Sequence, residues 1–190
     1  MRIQLNQSIE AKPVCPQCLD REWFGAEVLP ALMFSFCIEG DELVFCASQK
    51  APALLHPEAS LGKFQELLWK YDTAEFFIAK EDCSRYLEFN LSPNGAWWSE
   101  IFTDPRVVDE SAIQIAPTRC EACCDESGWS CSARIPMADL LAMGLDPRRS
   151  RMAVCAILAS PQQIFLTSAD KMEGVPDFHR LPDWPLSELL

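Results

Sequence analysis

The stretch YLEFNLSPNGAWW, which begins at Tyr86, contains the side-chain types that a sugar-binding site requires. If its first six residues form a strand, Tyr86, Glu88 and Asn90 share one face, because neighbouring strand residues point to opposite faces. For the same reason, the adjacent Trp97 and Trp98 cannot both enter one core. Sugars stack their C–H faces on aromatic rings, and their hydroxyl groups bind charged or amide partners. We therefore expect one indole to pack inward and the other to lie beside Glu88 and Asn90.

Tryptophans elsewhere in the chain are further candidates for stacking on a ligand. The alternative is that all of them are core or edge-covering residues, which composition alone favours. The set considered is Trp69, Trp97, Trp98, Trp129 and Trp184.

Two pairs of cysteines have the CxxC spacing with which two thiolates hold one Zn²⁺ ion. Cys15 and Cys18 lie in CPQC, and Cys120 and Cys123 lie in CEACC. A zinc ribbon keeps its two pairs much closer in sequence than these are, so the pairs would have to meet through the fold. The alternative is that they are unrelated loop thiols in a chain with ten cysteines. Without a secretory signal, we expect reduced thiols rather than a disulfide framework.

Motifs for catalysis are absent from the sequence. It contains no GxSxG, HExxH, P-loop or GxGxxG pattern. Glu75 and Glu88 could share a sheet face and act as paired carboxylates on a glycosidic bond. Since outward-facing strand positions of an acidic protein are usually acidic, we do not expect an enzyme, and a glycoside-acting enzyme is kept as the alternative.

Charge and hydropathy exclude several classes of partner. Sixteen basic and 28 acidic residues give a formal charge of −12, which opposes binding to nucleic acid and to anionic membranes. No stretch has the length of a transmembrane helix, and the first residues do not resemble a signal peptide. We therefore expect a cytoplasmic protein, or a secreted one if a leader precedes this chain. The sequence does not indicate the oligomeric state.

Short runs of alternating apolar and polar residues, separated by turn residues, predict an all-β fold. With 190 residues, 49% of them apolar, we expect a single domain over residues 1–190. The predicted architecture is an antiparallel β-sandwich of the immunoglobulin or jelly-roll type, with one or two short helices. Arms at residues 1–25 and 170–190 are expected to wrap around the sandwich.

Several stretches give more specific expectations. In TAEFFIAK, the adjacent Phe76 and Phe77 predict a central strand that is covered on both faces. PMADLLAMGLDP and SLGKFQELLWK have apolar residues at helical spacing, whereas the polar TRCEACCDES is predicted to be a loop. The other predicted strands are the hairpin LMFSFCIEGDELVFCAS and the runs RYLEFNLS, AWWSEIF, SAIQIAP, GWSCSARIP, RMAVCAILAS and QQIFLTS.

Three blocks of the sequence resemble family-nine carbohydrate-binding modules and the related DOMON-like domains. LWKYDTAEFFIAKEDCSRYLEFNLSPNGAWW is similar to the family pattern of a Trp, an acidic residue, an EVFI-type strand and YxEFxxSPxGxWW. GWSCSARIPMADL resembles GWxxEARIPxxxL, and VPDFHRLPDW resembles the terminal PDFH element. The blocks occur in the family order and cover roughly residues 30–185.

The resemblance implies an antiparallel β-sandwich and a non-catalytic domain that binds a saccharide or a similar polyol. In the family, two aromatic side chains sandwich a sugar, and charged and amide groups bind its hydroxyls. A protein-interaction domain without a sugar ligand is another alternative. The ligand-binding residues implied by position are Trp69, Glu75, Arg85, Glu88, Asn90, Trp98 and His179, with Trp129 or Trp184 as the second half of the sandwich.

Cofactors receive little support from the sequence. Some DOMON relatives bind b-type haem through Met and His side chains, but no methionine is paired with His179 by spacing, so haem is only a minor alternative. The cysteine-rich region 120–131 also departs from the family pattern. We expect no obligatory cofactor, with structural zinc or calcium as the alternative.

Overall fold

A computed structural model describes residues 1–6 and 16–190, which form mainly strands. The helix α1 spans Met137–Ala142, within the predicted PMADLLAMGLDP segment, and three single 3₁₀ turns accompany it. Within these ranges, no helix has the length and apolarity that a membrane crossing requires. The strands are β1 (Arg2–Asn6), β2 (Gln17–Arg21), β3 (Glu27–Glu39), β4 (Glu42–Gln49), β5 (Thr73–Ala79), β6 (Tyr86–Leu91), β7 (Trp97–Asp104), β8 (Val107–Val108), β9 (Arg119–Asp125), β10 (Gly128–Pro136), β11 (Arg151–Leu158), β12 (Ile164–Thr167) and β13 (Glu188–Leu189).

The strands form two sheets that pack face to face. The seven-stranded sheet has the order β13-β1-β3-β4-β10-β9, with β2 also paired to β3, and the six-stranded sheet has the order β12-β11-β5-β6-β7-β8. All pairs are antiparallel except those of β1 with β3 and β13. The predicted antiparallel β-sandwich is confirmed. The N-terminal arm is partly built into the first sheet as β1 and β2.

Aromatic side chains from both sheets meet in the core between them. The Phe76 ring stacks on Phe89 within the six-stranded sheet, with centroids 5.0 Å apart. It also contacts Phe45 and Phe36 of the seven-stranded sheet at 5.0 and 5.6 Å. These residues alternate along their strands with outward-facing ones, as the period of two requires.

The outer face of the six-stranded sheet is also covered. Residues 176–184, named here the C-terminal segment, lie across it, and Trp184 contacts Phe77 and Tyr86 at 5.1 and 5.6 Å between ring centroids. Every residue of β5 and of β6 is buried as a result. The prediction that TAEFFIAK is a central strand covered on both faces is confirmed.

The helix predicted for residues 60–70 is wrong, because that segment consists of turns, a single β-bridge at Phe64 and a 3₁₀ turn at Leu68–Lys70. Its backbone follows the start of β7, where the N–H of Gln65 donates to the Trp97 carbonyl and the Trp97 N–H donates to the Lys63 carbonyl. Phe64 packs edge-on against Trp97. Hydrogen bonds with a strand edge have replaced those that a helix would form.

Two further predictions near the cysteine-rich region are wrong. The predicted loop at 118–127 contains the strand β9, which pairs with β10 along seven residue pairs. The predicted strand at 111–117 is irregular instead, and its Ile115 is buried while its carbonyl accepts a hydrogen bond from Ser99. This stretch carries the chain from one sheet to the other, so no neighbouring strand is available to pair with it.

The β6–β7 turn determines which of the two adjacent tryptophans faces inward. Its Gly95 has a φ of +81°, and an added Cβ would lie 2.5 Å from a Leu61 methyl carbon. The resulting register places Trp97 opposite Leu91 and Trp98 opposite Asn90. Trp97 is therefore in the core, whereas Trp98 is on the outer face.

We predict that the two tryptophans differ sharply in their contribution to stability. Trp97→Ala should lower the free energy of unfolding by about 3–5 kcal/mol, since it removes a buried ring. Trp98→Ala should cost less than half as much, because its indole is partly exposed. Urea denaturation of both variants measures the difference. Equal losses would contradict the assigned orientations.

Candidate functional site

A cleft of about 480 Å³ opens on the outer face of the six-stranded sheet. Its floor is formed by β5 and β6, where Glu75 and Phe77 lie beside Glu88. Trp98 of β7 and Trp69 of the 3₁₀ turn form one wall, and the C-terminal segment and β12 form others. The sheet register thus brings together residues that are far apart in sequence.

The two tryptophans of the wall contact each other. Their ring centroids are 5.2 Å apart and the rings are inclined at 69°, an edge-to-face arrangement. The backbone carbonyl of Trp69 accepts a hydrogen bond from the side chain of Gln163 at 3.1 Å. Because no gap separates the rings, Trp69 and Trp98 form a corner rather than the two halves of a sandwich.

Glu75 and Glu88 are buried carboxyl groups at the base of the cleft, with exposed fractions of 2% and 7%. Burial raises the pKa of Glu75 well above its usual range, and the charge of Glu88 adds to the effect. Burial also raises the pKa of Glu88 to about 7, although the hydrogen bond from the Asn90 amide lowers it. Below about pH 7 both carboxyl groups are therefore mainly neutral.

His179 of the C-terminal segment faces Glu88 as a neutral imidazole. Burial lowers the pKa of His179 to about 4, and the positive charge of Arg106 adds to this shift. Burial also raises the pKa of Tyr86 to about 12, so that hydroxyl keeps its proton. It accepts the backbone N–H of Arg106 at 3.0 Å, and its oxygen lies 2.7 Å from His179 Nδ1. Because the hydroxyl keeps its proton and the imidazole is neutral, we infer that Tyr86 donates to Nδ1.

The histidine proton then resides on Nε2, which is 3.6 Å from Glu88 Oε2. This pair is not an ion pair, because burial shifts the pKa of each partner toward its neutral form. Both side chains retain hydrogen-bonding capacity toward the cleft.

Two buried oxygen atoms at the base of the cleft make no hydrogen bond within the described part of the chain. They are Glu75 Oε1 and Asn90 Oδ1, which belong to residues directly opposite each other on β5 and β6. Buried polar atoms are normally hydrogen-bonded. Of the two residues, only Glu75 belongs to the cleft lining, so Glu75 Oε1 is the atom with free capacity for a polar ligand.

Four residues predicted at the ligand are not part of the cleft lining. Asn90 is fully buried beneath the floor, where its amide donates to the Glu88 carboxyl. Arg85 is not part of the cleft lining and forms an ion pair with Asp109 at 2.7 Å. Trp129 packs in the core between the sheets, because its position on β10 faces inward opposite Cys124. Trp184 is the part of the C-terminal segment that is buried against Phe77 and Tyr86 of the sheet, so neither tryptophan is available as the second half of a sandwich.

The predicted zinc site is not assembled by the residues that the structure describes. Cys15 lies outside them, and Cys18 is on β2. Cys120 and Cys123 are three positions apart on β9, so they point to opposite faces and cannot hold one ion together. Residues 1–6 and 16–190 contain no group of three or more His, Cys, Asp or Glu side chains that could hold a metal ion.

Sequence reasoning missed part of the cleft. Arg106 lines it from the β7–β8 turn and forms an ion pair with Asp177 at 2.8 Å. Phe165 of β12 and Phe178 also line it. Phe178 belongs to the PDFH element and could have been proposed, but nothing in the sequence marks Arg106 or Phe165.

We predict that stability falls as the pH rises from 6.5 to 8. The unfolded Glu88 ionises near pH 4.5, whereas the folded carboxyl keeps its proton until about pH 7, so ionisation favours unfolding. His179 has the opposite effect on stability. Between about pH 4 and 6.5 only the unfolded imidazole is protonated, so stability rises with pH in that range. Above pH 6.5 the Glu88 effect is thus separated from that of His179. Comparison with Glu88→Gln separates it from the contributions of Glu75 and the N-terminal amine, whose pKa values are shifted as well.

Urea unfolding measures this dependence. The decline attributable to Glu88 should be about 1 kcal/mol between pH 6.5 and 8. In Glu88→Gln the slope should be smaller, while Glu110→Gln, an exposed control, should leave it unchanged. A Glu88→Gln slope equal to that of the parent protein would show that this carboxyl is not desolvated.

Comparisons with known proteins give matches at the level of structure. Neither a protein-family model nor a curated protein matches the chain. A proposed carbohydrate-binding protein from Bacteroides uniformis ATCC 8492 is similar with a TM-score of 0.71 and 13% identity, covering 100% of this chain and 98% of the other.

Two structures of a family-nine carbohydrate-binding module from Caldicellulosiruptor kristjanssonii are also similar. The glucose complex has a TM-score of 0.65 at 12% identity, and the cellotriose complex has 0.63 at 11%. Both matches cover 100% of this chain, with 95% and 92% of the module covered. The chain therefore has a fold like that of family-nine carbohydrate-binding modules.

Proposed function

We propose that the protein is a non-catalytic saccharide-binding domain whose site is the cleft on the six-stranded sheet. The observation that carries this proposal is the partly exposed Trp98 indole beside the buried carboxyl groups of Glu75 and Glu88. A sugar needs an aromatic face and hydrogen-bonding groups at the same place. The similar modules that hold glucose and cellotriose give further support.

In the proposed binding mode, one face of a sugar ring stacks on Trp98, and Trp69 bounds the ring at its edge. Hydroxyl groups of the sugar reach Glu75 Oε1 and the Nε2–H of His179. A neutral carboxyl group can both donate and accept, so it suits a hydroxyl, which also does both. Glu88 offers the same chemistry on the neighbouring strand β6.

Affinity for a single sugar should be modest. Stacking contributes about 1 kcal/mol beyond area burial, and a typical hydrogen bond contributes about 1 kcal/mol net. Loss of translational and rotational freedom offsets much of this gain. We expect a Kd on the order of 0.1–1 mM for a monosaccharide.

A glycoside-acting enzyme is the alternative that the paired carboxyls raise. A retaining glycosidase needs an ionised nucleophile together with a protonated acid. Here burial raises the pKa of both Glu75 and Glu88, so below about pH 7 neither carboxyl group is mainly ionised, as the nucleophile must be. This argues for hydrogen bonding to a ligand rather than for bond cleavage.

An interaction domain with a filled ancestral pocket is the other alternative. The cleft has an open volume of about 480 Å³, within the range of small-molecule sites. A small ligand is therefore favoured over a closed pocket.

The proposal predicts weak sugar binding that depends on Trp98. In a calorimetric screen of methyl glycosides of glucose, galactose, xylose and mannose, at least one should bind, and Trp98→Ala should weaken that binding at least tenfold. Phe24→Ala is the matched control, because its aromatic ring is 73% exposed and is not part of the cleft lining. This control should bind like the parent protein.

The same screen separates the alternatives. Binding that survives Trp98→Ala would place the sugar elsewhere. If none of the sugars binds, an interaction domain would be favoured. We predict that 4-nitrophenyl glycosides are bound without release of nitrophenol. Turnover that is lost in Glu75→Gln would instead establish an enzyme.

A further inference from the structure

We propose, on the basis of the function above, that the cleft recognises a glycoside bearing a flat apolar aglycone, with the sugar and the aglycone in adjoining subsites. The reason is that the cleft has two chemically different ends. One end carries acids, a histidine and an arginine, and the other is formed almost entirely by apolar side chains. A free sugar would fill only the first.

The apolar end is formed by Phe165, Phe178, Pro176 and Ile157. The rings of Phe165 and Phe178 are 6.1 Å apart at 64°, and both are partly exposed. Trp23 supports both residues. Its backbone N–H donates to the Phe165 carbonyl at 2.7 Å, and its ring centroid lies 6.3 Å from that of Phe178. These aromatic side chains are thus held in place while leaving surface for a ligand.

The sheet register separates the two ends. Phe165 of β12 is opposite Ile157 of β11, which is opposite Thr73 of β5, two residues before Glu75 on the same face. Glu88 lies one strand further, on β6. With strands about 4.8 Å apart, Phe165 and Glu88 are separated by roughly 14 Å across the sheet.

The charged end lies on the side of β7 and β8. Glu100 lines the cleft there beside the apolar Phe102 and Val108, as does Arg106, which is paired with Asp177. His179 and Glu88 lie between this end and the middle of the floor. A ligand that spans the cleft therefore meets hydrogen-bonding groups first and apolar rings afterwards.

The apolar end is unsuited to a second sugar ring. Its four side chains offer no donor or acceptor, and a buried hydroxyl without a partner costs about 1–3 kcal/mol. An aromatic ring has no such cost and gains contact with two phenylalanines. The same physical argument therefore favours an aromatic aglycone over a disaccharide.

Matched pairs of ligands test this inference. Calorimetry should compare methyl and 4-nitrophenyl β-glycosides of glucose, galactose and xylose, together with free 4-nitrophenol and methyl cellobioside. For a sugar that binds, the 4-nitrophenyl glycoside should bind about tenfold more tightly than the methyl glycoside. Methyl cellobioside should gain little over the methyl monosaccharide.

Variants of the apolar end test whether the higher affinity for the 4-nitrophenyl glycoside arises there. Phe178→Ala and Phe165→Ala should each reduce the ratio of nitrophenyl to methyl glycoside affinity, and this ratio is compared within each variant because Phe178 also helps to hold the C-terminal segment on Phe77. Phe178→Leu and Phe165→Leu keep most of the apolar volume, so they are included in case the alanine variants do not fold. They should bind the 4-nitrophenyl glycoside with a smaller advantage over the methyl glycoside than the parent protein does. Phe64→Ala is the control, since that exposed ring lies outside the cleft and should change nothing.

The possible failures are distinguishable. Equal affinity for methyl and 4-nitrophenyl glycosides, or stronger binding of methyl cellobioside, would overturn this inference and leave the proposed function standing. A nitrophenyl advantage that survives both Phe→Ala substitutions would overturn the assigned location. Two outcomes would overturn both this inference and the proposed function. In one, free 4-nitrophenol binds as tightly as its glycosides and the methyl glycosides do not bind. In the other, none of the ligands binds.

Discussion

The packing of the C-terminal segment on the outer face of the six-stranded sheet is the contact on which the rest of the site depends. Trp184 and Phe178 lie against Phe77, and Trp184 also contacts Tyr86. This contact removes β5 and β6 from water on a face that an ordinary sandwich would expose. It covers only part of the face, and the remaining part is the cleft.

Partial cover explains the chemistry of the cleft. Glu75 and Glu88 project from strands buried on both faces, so their charged forms lose hydration and their pKa values rise. The same segment carries His179 to Glu88 and, through Tyr86, fixes which ring nitrogen bears the proton. The packing of this segment therefore forms one wall of the cleft, keeps the carboxyl groups of Glu75 and Glu88 mainly neutral and orients the His179 imidazole.

Local alternation made much of this architecture predictable. Adjacent Phe76 and Phe77 indicated a strand covered on both faces, and adjacent Trp97 and Trp98 indicated opposite orientations. Both expectations follow from the period of two and do not require knowledge of distant partners. The resemblance of three sequence blocks supplied the sandwich fold and directed attention to His179.

Features that depend on contacts between distant segments could not be predicted. Trp69 turns its ring onto Trp98 because a 3₁₀ turn and Gln163 place it there, so the expected sandwich became a corner. Arg85 is engaged by Asp109, to which no local pattern points. Trp129 and Trp98 are both tryptophans in predicted strands, so the sequence does not distinguish them. Only the strand register shows that Trp129 faces inward.

The helix predicted for residues 60–70 failed for a related reason. Its apolar spacing was correct for a helix, but the strand edge at Trp97 offered backbone hydrogen bonds to Lys63 and Gln65. Phe64 then found a partner in the Trp97 ring. Tertiary contacts outweighed local propensity there.

The central claim is that the cleft beside Trp69 and Trp98 is where a sugar binds, and the indole N–H resonances of the tryptophans test it most directly. The chain has six tryptophans, and four of them, Trp23, Trp97, Trp129 and Trp184, are buried. In a ¹H–¹⁵N titration with cellotriose and with the methyl glycosides of glucose, galactose, xylose and mannose, the largest shifts caused by a sugar that binds should belong to Trp69 and Trp98, with Trp97 and Trp129 nearly unchanged. Shifts confined to other indoles, or no shift of any indole with any of these sugars, would contradict the account.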